Sequence, residues 1–129
     1  MKKKLTIEER NLLLSDLSAR LPYGVFCQID GLHEPKKLIR IEVDEVDGVL
    51  LDFENKGSLP IQVYLSEVKP YLRRSTTEEE LALIRVSSFI TRTQNFAPAI
   101  DFINSGHLDY RGLIDQGIAL EAHREMYNL

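Results

Sequence analysis

The chain is most informative in what it has little of. It holds one cysteine, Cys27, in 129 residues, so no internal disulfide can brace it. It has no apolar run approaching the roughly 20 residues that a membrane-spanning helix needs. The start, "MKKKLTIEERNLLL", opens like a signal peptide. Glu8, Glu9 and Arg10 then interrupt any apolar region, and no small-residue cleavage site follows. Lysine is missing from residues 76–129, which carry 4 arginines against 8 acids, whereas residues 1–75 balance 12 basic side chains against 12 acidic ones. The net charge of −4 therefore belongs to the second part, which cannot supply the clustered positive charge of a phosphate-binding surface. No G-x-G-x-x-G, Walker or G-x-S-x-G motif occurs. His33, His107 and His123 are too scattered to form H-x-x-x-H, and no second cysteine helps them hold a metal. The acidic run "EVDEVDG" lacks the spacing and closing glutamate of a calcium loop. The expectation is a cytoplasmic protein with no cofactor, no metal and no membrane partner.

What is present is ordinary for one globular domain spanning 1–129, with 43% apolar and 28% charged residues. Three regimes follow one another: a helix over 1–22, a β-rich part over 23–74 and a helical part over 75–129. Thr6 and Glu9 make a T-x-x-E capping box, in which each side chain satisfies the other's backbone N–H. Leu13, Leu14, Leu17 and Leu21 then recur at helical spacing, and Pro22 turns Leu21 away from helical geometry and ends the run.

From Gly24 onward the period becomes two. Val25, Cys27 and Ile29 share one face, and Cys27 reads as a small buried hydrophobe. Ile39, Ile41 and Val43 are expected inward, with Leu38, Arg40 and Glu42 outward. Asp47-Gly48 is a hairpin signal, followed by Val49, Leu51 and Phe53 inward. Asn55-Lys56-Gly57 is a turn before Ile61, Val63 and Leu65. "SEV" reads as one tight turn and "KPYLR" as a last short strand, with Pro70 tolerable only at an edge. Four strands, one turn and a fifth strand is the order of an SH3-like small barrel, with an open curled meander as the alternative. After Ser75, Thr76 with Glu79 and Thr77 with Glu80 form overlapping capping boxes for a helix fading near Asn95. A short helix over 98–104 follows, stopped by Ser105-Gly106. The expected fold class is thus α+β: an N-terminal helix, a five-stranded SH3-like barrel or curled antiparallel meander, and C-terminal helices.

One stretch crowds ionisable groups together: "GHLDYRGLID". Asp109 suits a helix N-cap, accepting from the N–H of Arg111 or Gly112. Leu108 and Leu113 make a hydrophobic staple. Gly117 can be the left-handed residue of a Schellman stop, with Ile118 touching Leu113. A seven-residue helix results, with Arg111 and Asp115 spaced to pair. Capping leaves His107, Tyr110 and Arg111 unexplained, and these are the candidate catalytic residues. The basic residues Lys2, Lys3, Lys4, Lys36, Lys37, Arg40, Arg73 and Arg74 form a candidate nucleic-acid surface if they gather on one face, with Tyr64 and Tyr71 for stacking.

Three stretches, "LLLSDLSARLPYGV", the strand end "VKPYLR" and "AIDFINSGHLDYRGLIDQGIALEA", resemble a family of small uncharacterised Bacteroides-type proteins found in prophage or mobile-element regions. The resemblance implies a mobile-element context and no reaction. The function expected is a non-enzymatic protein-interaction module or accessory protein. The alternatives are a nucleic-acid-binding accessory protein and an enzyme with a site around His107 and Arg111.

Overall fold

A computed structural model describes residues 5–44, 48–74, 102–109, 111–123 and 125–127. The protein is α+β. Helix α1 (Ile7–Arg20) is followed by a six-stranded mixed sheet of β1 (Phe26–Ile29), β2 (Lys36–Asp44), β3 (Gly48–Phe53), β4 (Ile61–Tyr64), β5 (Val68–Leu72) and β6 (Leu120–Glu121). The sheet order is β4-β3-β2-β1-β5-β6. Among the described residues no ladder joins β4 back to β5 or β6, so the sheet is open rather than closed into a barrel. The expected helix from Ser75 to Asn95 with its capping boxes, and Asp47 of the hairpin, lie outside the described residues. Of the expected 98–104 helix, one helical turn is described, over 102–105.

Helix α1 starts as its sequence dictates. The Thr6 hydroxyl accepts from the Glu9 N–H at 3.1 Å, and the Glu9 carboxylate accepts from the Thr6 N–H at 3.0 Å. Its buried face is Leu13, Asp16, Leu17 and Arg20, a spacing of three, four and seven that sets two charged residues on the apolar stripe. Leu14 and Leu21 pack only at its margin. Leu21 keeps helical angles, and Pro22 enters a 3-10 turn, Leu21–Tyr23, instead of stopping the chain at once. Gly24, at φ 72°, makes the actual stop.

Strands β1 and β3 bury Cys27, Ile29, Leu51 and Phe53 as alternation requires, and Val25 just before β1 is buried with them. Strand β2 departs from it. Leu38 is 1% exposed and Ile39 43%, the reverse of the expected assignment. The cause is a β-bulge: Leu38 stands opposite Phe53 but Arg40 opposite Asp52, so Ile39 is the extra residue. A bulge shifts the side-chain phase by one, which brings both Leu38 and Ile41 to the core side. Val43 shares the face of Ile41 but lies near the hairpin end and is 72% exposed.

Strand β5 is also not where the sequence pattern put it. It pairs antiparallel with β1 and parallel with β6, so it is an inner strand. Pro70 is tolerated there because β6 begins only opposite Tyr71, and the missing N–H at Pro70 breaks no bond to β6. Past β5, Arg73 continues as a parallel bridge to Leu108. Leu108 and residues 120–122 therefore lie along the free edge of β5 and its continuation.

The bulge generates a direct test. Leu38→Ala is expected to lower the unfolding free energy by about 2–5 kcal/mol, and Ile39→Ala by less than about 1 kcal/mol. Urea denaturation of the two variants reads the difference, and equal losses would contradict the bulge.

Candidate functional site

The stretch from His107 to Ile118 is a capped turn and not the seven-residue helix expected. Asp109 does accept backbone N–H groups, but from Leu113 at 2.8 Å and Ile114 at 3.0 Å rather than from Arg111 or Gly112. Gly112 adopts φ 71°, a left-handed angle that no helix can include. The stop is as expected: Gly117 is left-handed at φ 78°, its N–H donates to the Ile114 carbonyl at 3.0 Å, and the Ile118 N–H donates to the Leu113 carbonyl at 3.1 Å. This is the Schellman pattern, with Leu113 and Ile118 both in the core.

Arg111 does not pair with Asp115. Its Nη1 donates to Asp16 Oδ1 at 2.7 Å, while the other oxygen of the same carboxylate accepts from Arg20 Nε at 2.8 Å. Asp16 and Arg20 side chains are wholly buried and Arg111 is 21% exposed. Arg20 Nη2 donates to the Leu108 carbonyl. One buried carboxylate thus joins two guanidiniums, one from its own helix and one 95 residues on. Asp115 pairs instead with Arg74 at 2.9 Å on the surface. The sequence carries a signal for this network: Asp16 and Arg20 fall in step with Leu13 and Leu17.

His107 is 2% exposed. It is the one non-glycine residue with positive φ, 55°, among those described. Its ring stacks on Tyr127 with centroids 3.9 Å apart, and its Nε2 lies 3.2 Å from the Tyr23 carbonyl. A carbonyl only accepts, so Nε2 carries the proton. Nδ1 is buried with no hydrogen-bond partner among the described residues. Burial first, then the charges of Arg20 and Arg73, push the imidazole down to about 4, against a partial lift from the Tyr23 bond. His107 is therefore a neutral packing group at ordinary pH. The Tyr127 hydroxyl donates to the Tyr71 carbonyl and accepts from the Phe26 N–H, each at 2.8 Å, so the clasp ties Tyr127 to β1 and β5. Tyr110 lies outside the described residues.

The other candidates are separate. Cys27 is fully buried, and burial, then the nearby Asp16 charge, pushes its thiol up, away from the reactive thiolate. Among the described residues no group of His, Cys, Asp and Glu is arranged to hold a metal. Of the basic residues, Arg40 pairs with Glu42, Arg74 with Asp115 and Glu121, and Arg73 donates to the Gly106 carbonyl. Tyr71 is 7% exposed, too enclosed to stack on a base. Lys36 and Lys37 line a concavity of about 380 Å³ beside Phe26 and Lys56, but Glu34 and Glu54 line it too. Lys2, Lys3 and Lys4 lie outside the described residues.

A different surface has the character of a binding site. Between the start of α1 and the β3–β4 end of the sheet lies a groove of about 350 Å³, lined by Leu5, Ile7, Val49, Tyr64 and Leu65 with Arg10 and Ser66. A second concavity of about 210 Å³ shares Ile7, Arg10, Val49 and Leu65 with it and reaches Leu14. Its rim is apolar and open: Ile7 is 75% exposed and Tyr64 48%. Neither His107 nor Arg111 lines any of these three concavities. No local motif marks the groove, and its one trace in the sequence is Ile7 and Leu14 standing seven apart on a second line of α1. No family model, no curated protein and no solved structure matches this chain.

Two outcomes follow from the buried groups. Asp16→Ala leaves Arg20 buried without its carboxylate and is expected to cost about 3–5 kcal/mol by urea denaturation. His107 has a folded value below its unfolded value near 6.5, so the unfolded chain binds the proton more readily. Stability is then complete above about pH 6.5 and falls as pH drops toward 4, by about 3 kcal/mol from this group. Unfolding measured at pH 7, 5.5 and 4.5 should show the fall, and His107→Gln should reduce it.

Proposed function

We propose that this chain is a non-enzymatic protein-interaction module that engages its partner through the groove between α1 and the β3–β4 end of the sheet. The observation that carries the reading is the apolar rim, with Ile7 and Tyr64 exposed beside Val49 and Leu65. Water-exposed apolar side chains gathered around a concavity lower their free energy when a partner covers them. The crowd of ionisable groups near the C-terminus speaks for the same side. His107 is enclosed, Asp109 holds backbone N–H groups and Arg111 is bonded to the buried Asp16, which speaks against an enzyme reading around His107 and Arg111.

The order β4-β3-β2-β1-β5, with a 3-10 turn (Leu65–Glu67) between β4 and β5, supports an SH3-like plan that is extended by β6 and left open. Fold alone does not assign a partner. The resemblance of "LSARLPYGV", "VKPYLR", "LDYRGLI" and "ALEA" to small Bacteroides-type proteins of prophage or mobile-element regions supports an accessory role in such an element, acting in the cytoplasm. No helix among the described residues is long and apolar enough to cross a membrane.

The test is capture from the native host with wild type and with Ile7→Glu. Ile7 is so exposed that the change should move stability by no more than about 0.5 kcal/mol. A partner retained by wild type and lost by Ile7→Glu, at unchanged unfolding midpoint, supports the groove. Recovery of no partner by wild type counts against the module. Salt-sensitive binding of single-stranded DNA or RNA would move the assignment to nucleic acid.

A further inference from the structure

The groove has a charge pattern as well as an apolar wall, and the inference drawn from it rests on the groove being the docking surface. Arg10 lines both concavities and is the one charged residue among their described linings. Its backbone N–H donates to Thr6 in the first turn of α1, which fixes where the side chain leaves the helix. Arg10 is exposed and makes no ion pair with any described residue. This sets it apart. Arg20, Arg40, Arg74 and Arg111 each hold a carboxylate. A guanidinium presents a planar fork of donors that matches a carboxylate better than any neutral acceptor.

We infer that the groove takes a segment of a partner protein that presents apolar side chains flanking a single carboxylate, with the carboxylate on Arg10 and the apolar groups against Ile7, Val49 and Leu65. The combined concavities, about 350 and 210 Å³ with shared walls, suit a few side chains rather than a whole domain face. A second copy of this chain fits less well. Groove pressed on groove would offer Arg10 no acid, because none of the described lining residues is acidic. A purely apolar occupant would displace water from Arg10 without replacing its hydrogen bonds, which costs affinity.

The probes are two synthetic peptides, acetyl-Leu-Glu-Leu-amide and acetyl-Leu-Gln-Leu-amide, titrated into the full chain while methyl NMR signals of Ile7, Val49 and Leu65 are followed. The glutamate peptide is expected to bind about fivefold more tightly, the worth of one partly exposed ion pair. Arg10→Gln should bring the two peptides to equal affinity, and Arg10→Lys should restore part of the preference. Equal binding of both peptides to wild type overturns the carboxylate inference and leaves the apolar groove standing. No shift of these methyls with either peptide removes the groove as a peptide site altogether. A dimer in sedimentation that Ile7→Glu dissolves would assign the groove to a second copy and overturn the inference.

Discussion

The Asp16 carboxylate is the constraint on which the rest of this structure turns. It lies wholly buried, accepting from Arg20 on its own helix and from Arg111 far along the chain. A lone ion in such a place would cost several kcal/mol. Arg20 answers Asp16 and also holds the Leu108 carbonyl, so helix α1 is bonded to the C-terminal segment at two points. The enclosed acid and its two guanidiniums thus tie α1 to Leu108 and Arg111, beside the apolar packing of Leu13 and Leu17.

A second, neutral clasp works beside the ionic one. Tyr127 bridges β1 and β5 through its hydroxyl, and its ring lies on His107, whose own N–H reaches the end of the 3-10 turn after α1. The two clasps use different physics, charge in one and stacking with neutral hydrogen bonds in the other. They converge on the same segment, which is why the most reactive-looking stretch of the sequence is so fully occupied. The exposed apolar side chains that flank a concavity lie elsewhere, at Ile7 where α1 begins and at Tyr64 where β4 ends.

Much of this was legible in the residues. The Thr6–Glu9 capping box, the alternation in β1 and β3, and the Gly117 stop each rest on contacts within a few positions, and each appears where the pattern placed it. The departures have one character. Alternation puts Ile39 inward because it carries no sign of a bulge, which only the pairing with β3 reveals. Asp109 has the residue type and spacing of a helix cap, but the left-handed Gly112 turns the chain away from a helix. "GIALEA" favours helix by its local composition, yet Leu120 and Glu121 form a strand because β5 offers them an unpaired edge. The groove went unseen because its walls come from α1, β3 and the turn after β4.

The sequence by itself determined the α+β class, the capped first helix, the change from a helical to an alternating period at Gly24, and that these residues form no internal disulfide. These depend on short-range sterics, capping and periodicity, which act between neighbours. Only the tertiary structure decided which charges were buried, that His107 would be a neutral packing group, that the sheet would stay open with a sixth strand, and where an apolar groove would meet Arg10. Those outcomes depend on dielectric surroundings and on partners up to about a hundred residues away, and no local pattern encodes either.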